Sequence, residues 1–132
     1  MSRLVVGLGF REQATAQSIG EVLAGIAART AISSVARVVA VPEDKAAHPG
    51  LLAAAQASHF SIATVGPDAM REAAARITTH SERVKDLRGV GSVCEAAALA
   101  IAGPHARLVV TRIVSTDRRA TAAAAMTEDS AP

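Results

Sequence analysis

The residues of this 132-residue chain best suited to chemistry lie in a glycine-rich turn, Arg88-Gly89-Val90-Gly91-Ser92, that runs straight into an apolar stretch ending at Gly103-Pro104. Gly89 and Gly91 let the backbone turn where a Cβ would clash. Ser92 followed three residues later by Glu95 is a capping-box pattern, in which each side chain satisfies a free N–H of the other's backbone. Cys94, Ala97, Ala98 and Ile101 fall on one face at helical spacing. The free N–H groups of such a helix, together with its dipole, form a seat for an anion. Two readings of Gly91, Ser92 and Glu95 stay open. One is a capped, buried helix with Glu95 occupied by its own N-terminus; the other is an anion-binding turn at the edge of a sheet.

A second candidate is Gly7-Leu8-Gly9, at the end of an apolar run. A dinucleotide fingerprint requires a further glycine or alanine where this chain has Glu12, so Gly7 and Gly9 give only a weak phosphate-loop signal. Cys94 is the single cysteine, which excludes an intrachain disulfide and a cysteine metal cluster. His48, His59, His80 and His105 show no ligand spacing, so neither a metal nor a cofactor is expected. Ser92 has no His or Asp beside it in sequence to activate it as a nucleophile.

The elements that must position these residues alternate. Arg3–Leu8, ending in Gly9, reads as a buried strand, and Thr15–Arg29 as a helix with Ile19, Val22, Leu23 and Ile26 on one face and Thr15 as its cap. Val35–Val41 is a second strand, followed by a polar loop over 43–48 and a short helix, Gly50–Ala57, opened by Pro49. His59–Val65 is a third strand, and Gly66-Pro67-Asp68 opens a helix that runs to about Arg76. Residues 78–87 are polar and read as a loop with a helical turn. After the Ser92 helix come Arg107–Val114, a turn over 115–119, and Ala120–Ala125 as a returning strand. This order predicts a single α/β domain over 1–126, with 127–132 as a frayed tail. The expected fold is a three-layer α/β/α sandwich whose mixed, mostly parallel sheet ends in an antiparallel strand. Ligands of such sheets bind outside the carboxyl ends of the parallel strands, here at Gly7–Arg11 and Pro42–His48.

Composition narrows the function further. Half of the residues are hydrophobic and only 2% aromatic, so the core is built from Ala, Val, Ile and Leu. The lack of aromatics argues against stacking platforms for single-stranded nucleic acid. A formal net charge of +2 with scattered Lys and Arg shows no nucleic-acid arm. No stretch is long enough to span a membrane, and no signal peptide is evident, so a cytoplasmic location is expected.

Several separated stretches resemble one family. Gly7-Leu8-Gly9-Phe10-Arg11, the segment Lys45 to Leu52, Gly91 to Ala98, Leu108 to Arg112 and Ala120-Thr121-Ala122 follow, in order, the pattern of CobE and the C-terminal domain of CbiG, cobalamin-biosynthesis proteins. The resemblance implies a role in building the corrin ring. It implies either a carrier or accessory that binds an anionic corrin precursor, or a hydrolase that opens a ring lactone of that precursor; a small nucleotide-binding module is a further alternative. Other enzymes of the cobalamin pathway are expected partners. Corrin precursors carry a rim of acetate and propionate carboxylates, which calls for cations and backbone N–H groups. Arg11, Lys45 and Arg112 match basic positions of the family, and His48 could move a proton near neutral pH. The chain departs from the family where an acidic residue often stands, at His48, and where Pro-Lys often stands, at Thr111-Arg112. Arg112 keeps the charge but not a lysine's nucleophilicity. The expected ligand contacts are therefore Gly7, Gly9, Arg11, Lys45, His48, Gly91, Ser92, Glu95 and Arg112.

Overall fold

A computed structural model describes residues 2–30, 36–75 and 93–128. The elements are β1 (Ser2–Phe10), α1 (Ala16–Thr30), β2 (Ala36–Pro42), a 3-10 turn (Glu43–Lys45), α2 (Pro49–Ala57), β3 (Ser61–Val65), α3 (Pro67–Ala75), α4 (Val93–Ala102), β4 (Arg107–Val114) and β5 (Ala120–Glu128). The strands form one sheet in the order β3-β2-β1-β5-β4. β1 pairs in parallel with β2, and β2 with β3, while β5 runs antiparallel to both β1 and β4. β4 therefore points the same way as β1, and the carboxyl ends of four strands share one edge. The expected α/β layers and the antiparallel last strand are present. β5 reaches Glu128, so positions 127 and 128, expected in the tail, pair with positions 3 and 2 of β1.

β1 is a continuous apolar run because both of its faces are covered. Leu4, Val6 and Leu8 point to one core, with Ile19, Val22, Leu23 and Ile26 of α1 and Leu51 and Ala54 of α2. Val5 points to the other, with Met70 and Ala73 of α3 and Ala96, Ala97, Ala98 and Leu99 of α4. Each fully buried Leu or Ile in these layers contributes roughly 1.5–3 kcal/mol relative to its exposed state. In β5, Ala122–Ala125 are fully buried. Their methyl groups keep the sheet thin, so α1 lies close on one face of β5 and α4 on the other.

The Gly7-Leu8-Gly9 segment is not a turn. Strand pairing continues through it, with Gly7 opposite Ala123, Gly9 opposite Thr121 and Phe10 opposite Ala120. A Cβ on Gly7 would lie 1.8 Å from the carbonyl oxygen of Cys94 and 2.6 Å from the amide nitrogen of Ala98. The glycine is there so that the backbone of α4 can rest directly on β1. That contact accounts for the small residues of α4 as well.

Candidate functional site

The carboxyl edge of the sheet gathers three pieces of chain. The first is the loop that follows β1. Phe10 ends the strand, half-buried, and Arg11 turns outward. The Arg11 N–H donates to the Arg119 carbonyl at 2.9 Å, and the Arg11 carbonyl accepts from Ala14 at 3.0 Å. The Arg11 guanidinium is exposed and forms no ion pair among the described residues.

The second piece follows β2. The 3-10 turn puts Lys45 beside the β1 loop, with Nζ 3.9 Å from Glu12 Oε1 and 5.8 Å from the centroid of the Phe10 ring. The Glu12 side chain is 85% exposed, so this pair is a loose surface one that leaves the ammonium available to another anion. His48 packs edge-on against Phe10, with ring centroids 4.9 Å apart. Its Nδ1 accepts from the Gly50 N–H at 3.1 Å, which makes it the N-cap of α2, and its Nε2 lies 2.9 Å from the Glu12 carbonyl. A neutral imidazole that accepts at Nδ1 carries its proton on Nε2 and donates it to that carbonyl. One nitrogen of His48 thus caps its own helix, while the other ties this segment to the β1 loop. Phe10, one of only two phenylalanines, is the surface on which Lys45 and His48 are arranged. Sequence reasoning gave it no role, although a lone aromatic at a strand end in so aromatic-poor a chain was a usable signal.

The third piece is the β4–β5 turn. Asp117 Oδ2 accepts from Ser18 Oγ at 2.5 Å, and Oδ1 accepts from Ser115 Oγ at 2.6 Å and from the Arg119 N–H at 3.0 Å. These hydrogen bonds, first those of Ser115 and Ser18 and then that of the Arg119 backbone, hold the carboxyl down at about 2, against a small opposing effect of burial. Ser18 is buried at the start of α1, where its N–H donates to Thr15 Oγ1 at 3.1 Å. The cap of α1, expected at Thr15, is therefore wired to the far hairpin. Thr116 adds a second tie, donating its N–H to Glu21 of α1 at 2.9 Å.

α4 begins at the same edge, since Val93 lies 3.5 Å from a Cβ placed on Gly9. The oxygen atoms at this point are already in use, with Thr121 Oγ1 donating to the Gly9 carbonyl at 3.2 Å. Gly91, Ser92 and the rest of the expected anion turn lie outside the described residues, as does the polar stretch 78–87. Glu95 lies inside them, buried, and its Oε2 accepts from the Arg112 N–H at 3.2 Å. The β4–β5 register shifts between Val110 and Ile113, and such a bulge takes a residue out of the ladder. Glu95 reaches across from α4 to meet an amide in that interval. Arg112 itself is exposed on the outermost strand, two strands away from β1, so its guanidinium is not grouped with Lys45 by the sheet.

A separate open groove of about 640 Å³ lies on the α3 face, walled by Pro42, Val65, Pro67 and Met70, with Glu43, Asp44 and Arg71 as its charged residues. Among the described residues none of the expected ligand contacts lines it, although Pro42, Glu43 and Asp44 belong to the expected segment 42–48, and its two described carboxylates suit a polyanion poorly. Among the described residues no three His, Cys, Asp or Glu side chains group as a metal site, and no helix is long and apolar enough to cross a membrane.

Fold and edge together define a mixed-sheet α/β domain in which loops from three strands meet, carrying cations outward. The profile of the family described as cobalamin synthesis G C-terminus matches residues 4–125. A curated relative, Protein CobE of Sinorhizobium sp, is 39% identical over 118 residues, which cover 85% of this chain and 73% of the relative. The crystal structure of the cobalamin biosynthesis protein chiG from Agrobacterium tumefaciens str. C58 superposes with a TM-score of 0.73 at 36% identity, covering 96% of this chain and 99% of that one. The structure of CobE, a protein from the cobalamin (vitamin B12) biosynthetic pathway, gives a TM-score of 0.77 at 26% identity, covering 95% and 93%. The chain belongs to the CobE and CbiG C-terminal family and is a cobalamin biosynthesis protein.

Proposed function

We propose that the chain binds an anionic corrin precursor at the carboxyl edge of its sheet, as a carrier between pathway enzymes or an accessory to a ring-modifying step. The observation that carries this is the meeting of the β1 and β2 loops, where Lys45 lies against Glu12 as a loose partner and exposed Arg11 directly precedes Glu12 on the β1 loop. Rim carboxylates would displace Glu12 and take charge-assisted hydrogen bonds, each contributing on the order of 1.5–3 kcal/mol where water is excluded and much less where it is not. Several are therefore needed, and a polycarboxylate ring supplies several. The stand-alone hydrolase reading gains no support from His48, because proton transfer there would break the cap of α2. The nucleotide reading loses its turn, since Gly7 and Gly9 are strand residues.

The test is incubation with cobyrinic acid, a corrin whose rim carboxylates are free, followed by gel filtration and absorption spectra over time. The expected result is co-elution at a fixed stoichiometry with an unchanged ligand. With a lactone-bearing precursor, multiple turnover by the chain alone would replace the carrier by the hydrolase.

A further inference from the structure

We infer that Arg118 and Arg119, on the β4–β5 turn, form a second cationic arm that takes rim carboxylates of the same ligand as Arg11 and Lys45; this rests on the function proposed for that edge. The turn is joined to the site by backbone, through the Arg11 N–H on the Arg119 carbonyl at 2.9 Å, and Arg119 Nη1 lies 3.5 Å from the Gln13 carbonyl. Among the described residues the carboxylates around this turn are hydrogen-bonded to other donors, although the Asp117 charge also acts on Arg119. Asp117 spends both oxygens on Ser18, Ser115 and the Arg119 N–H, and Glu21 is held by Thr116. Glu12 is exposed and faces Lys45. The guanidiniums of Arg118 and Arg119 are exposed to solvent.

The backbone adds an independent observation. Arg118 has φ of +62°, a conformation that a turn ordinarily gives to Gly or Asn. The turn's own hydrogen bonds hold it there, the Arg118 N–H donating to the Ser115 carbonyl at 2.9 Å, so the turn presents this side chain from a fixed backbone. A macrocycle with carboxylates spread round its rim is gripped better by two arms than by one, and the β1 loop joins them through Arg11 and Gln13.

Arg118→Gly suits the existing φ, so it removes the charge without forcing the backbone. Arg119→Gln keeps length and hydrogen-bonding capacity. Each variant, with wild type, Arg11→Ala and Lys45→Ala, is titrated with cobyrinic acid. The expected result is an affinity about fivefold or more weaker in both turn variants, with a melting temperature for Arg118→Gly no lower than wild type. Wild-type affinity in both turn variants, while Arg11→Ala or Lys45→Ala binds more weakly, would overturn this inference and leave the edge site standing. Failure of wild type to bind cobyrinic acid would overturn both.

Discussion

Replacing Gly7 by alanine attacks the contact on which the site's frame depends. The new Cβ would meet the Cys94 carbonyl oxygen at 1.8 Å and the Ala98 nitrogen at 2.6 Å, whereas ordinary contact begins at 3.4 Å. Both neighbours are backbone of α4, so no side-chain rotation relieves the overlap, and the helix must retreat by about 1.6 Å. α4 cannot retreat without opening its own core, because Cys94, Ala96, Ala97 and Ala98 are fully buried. Interiors are close-packed, and inserting one carbon into them costs typically 1–3 kcal/mol, occasionally more. Two simultaneous backbone clashes place Gly7→Ala at about 3 kcal/mol or above, a large part of a total of roughly 5–15 kcal/mol. For a domain of this size that corresponds to a fall in melting temperature of about 10 °C. Urea unfolding followed by circular dichroism measures it, with an unchanged slope showing that the native state rather than the denatured one is affected. Gly20→Ala is the internal control, since nothing lies within 4 Å of a Cβ there and mid-helix alanine is favoured over glycine by roughly 0.5–1 kcal/mol. A loss below about 1 kcal/mol for Gly7→Ala would refute the close-approach argument.

Three further outcomes are expected. His48→Ala removes the cap of α2 and the tie to the Glu12 carbonyl, and should lower stability by about 1–2 kcal/mol in urea unfolding; an unchanged midpoint would deny His48 its structural role. Hydrogen bonds from Ser115, Ser18 and the Arg119 backbone hold the Asp117 pKa down at about 2 against an ordinary 3.8, so its stabilisation is complete above the unfolded value and fades as pH falls through this interval. The stability gap between wild type and Asp117→Asn should therefore narrow steadily between pH 5 and 2 in thermal scans, and a gap independent of pH would contradict the hydrogen-bonding scheme. Lys45→Ala and Arg11→Ala should weaken cobyrinic acid binding and move the melting temperature little, because the Lys45–Glu12 pair at 3.9 Å is worth at most about 1 kcal/mol.

Most of the layering was legible because the hydrophobic patterns are long and regular. Ile19, Val22, Leu23 and Ile26 repeat at helical spacing and are all buried on one face of α1, and Arg107–Val114 is a strand with the bounds that its apolar run suggests. The role of Gly7 was not legible. A glycine that admits a helix and a glycine that admits a phosphate look alike until the opposing backbone is known. The capping-box expectation for Glu95 rested on a local spacing, whereas its carboxylate also meets an amide of β4 across the sheet, a contact seventeen positions away. His48 shows the same limit. Its imidazole looked like an acid or base in an exposed loop, and only the approach of the Glu12 carbonyl and the start of α2 reveals both nitrogens in structural use. Ser18 and Asp117 lie 99 positions apart, too far for any local pattern to join them. The sequence did indicate the shared edge itself, through the rule that parallel strands present their carboxyl ends together.

The central claim is that the cationic edge recognises the carboxylates of a corrin rim. Isothermal titration of wild type with cobyrinic acid, alongside cobinamide, which has the same ring with its rim largely amidated, tests it most directly. Saturable one-to-one binding of cobyrinic acid, weakened by added salt and at least tenfold tighter than that of cobinamide, is the expected result. Equal affinity for the two corrinoids, or none for either, would contradict it.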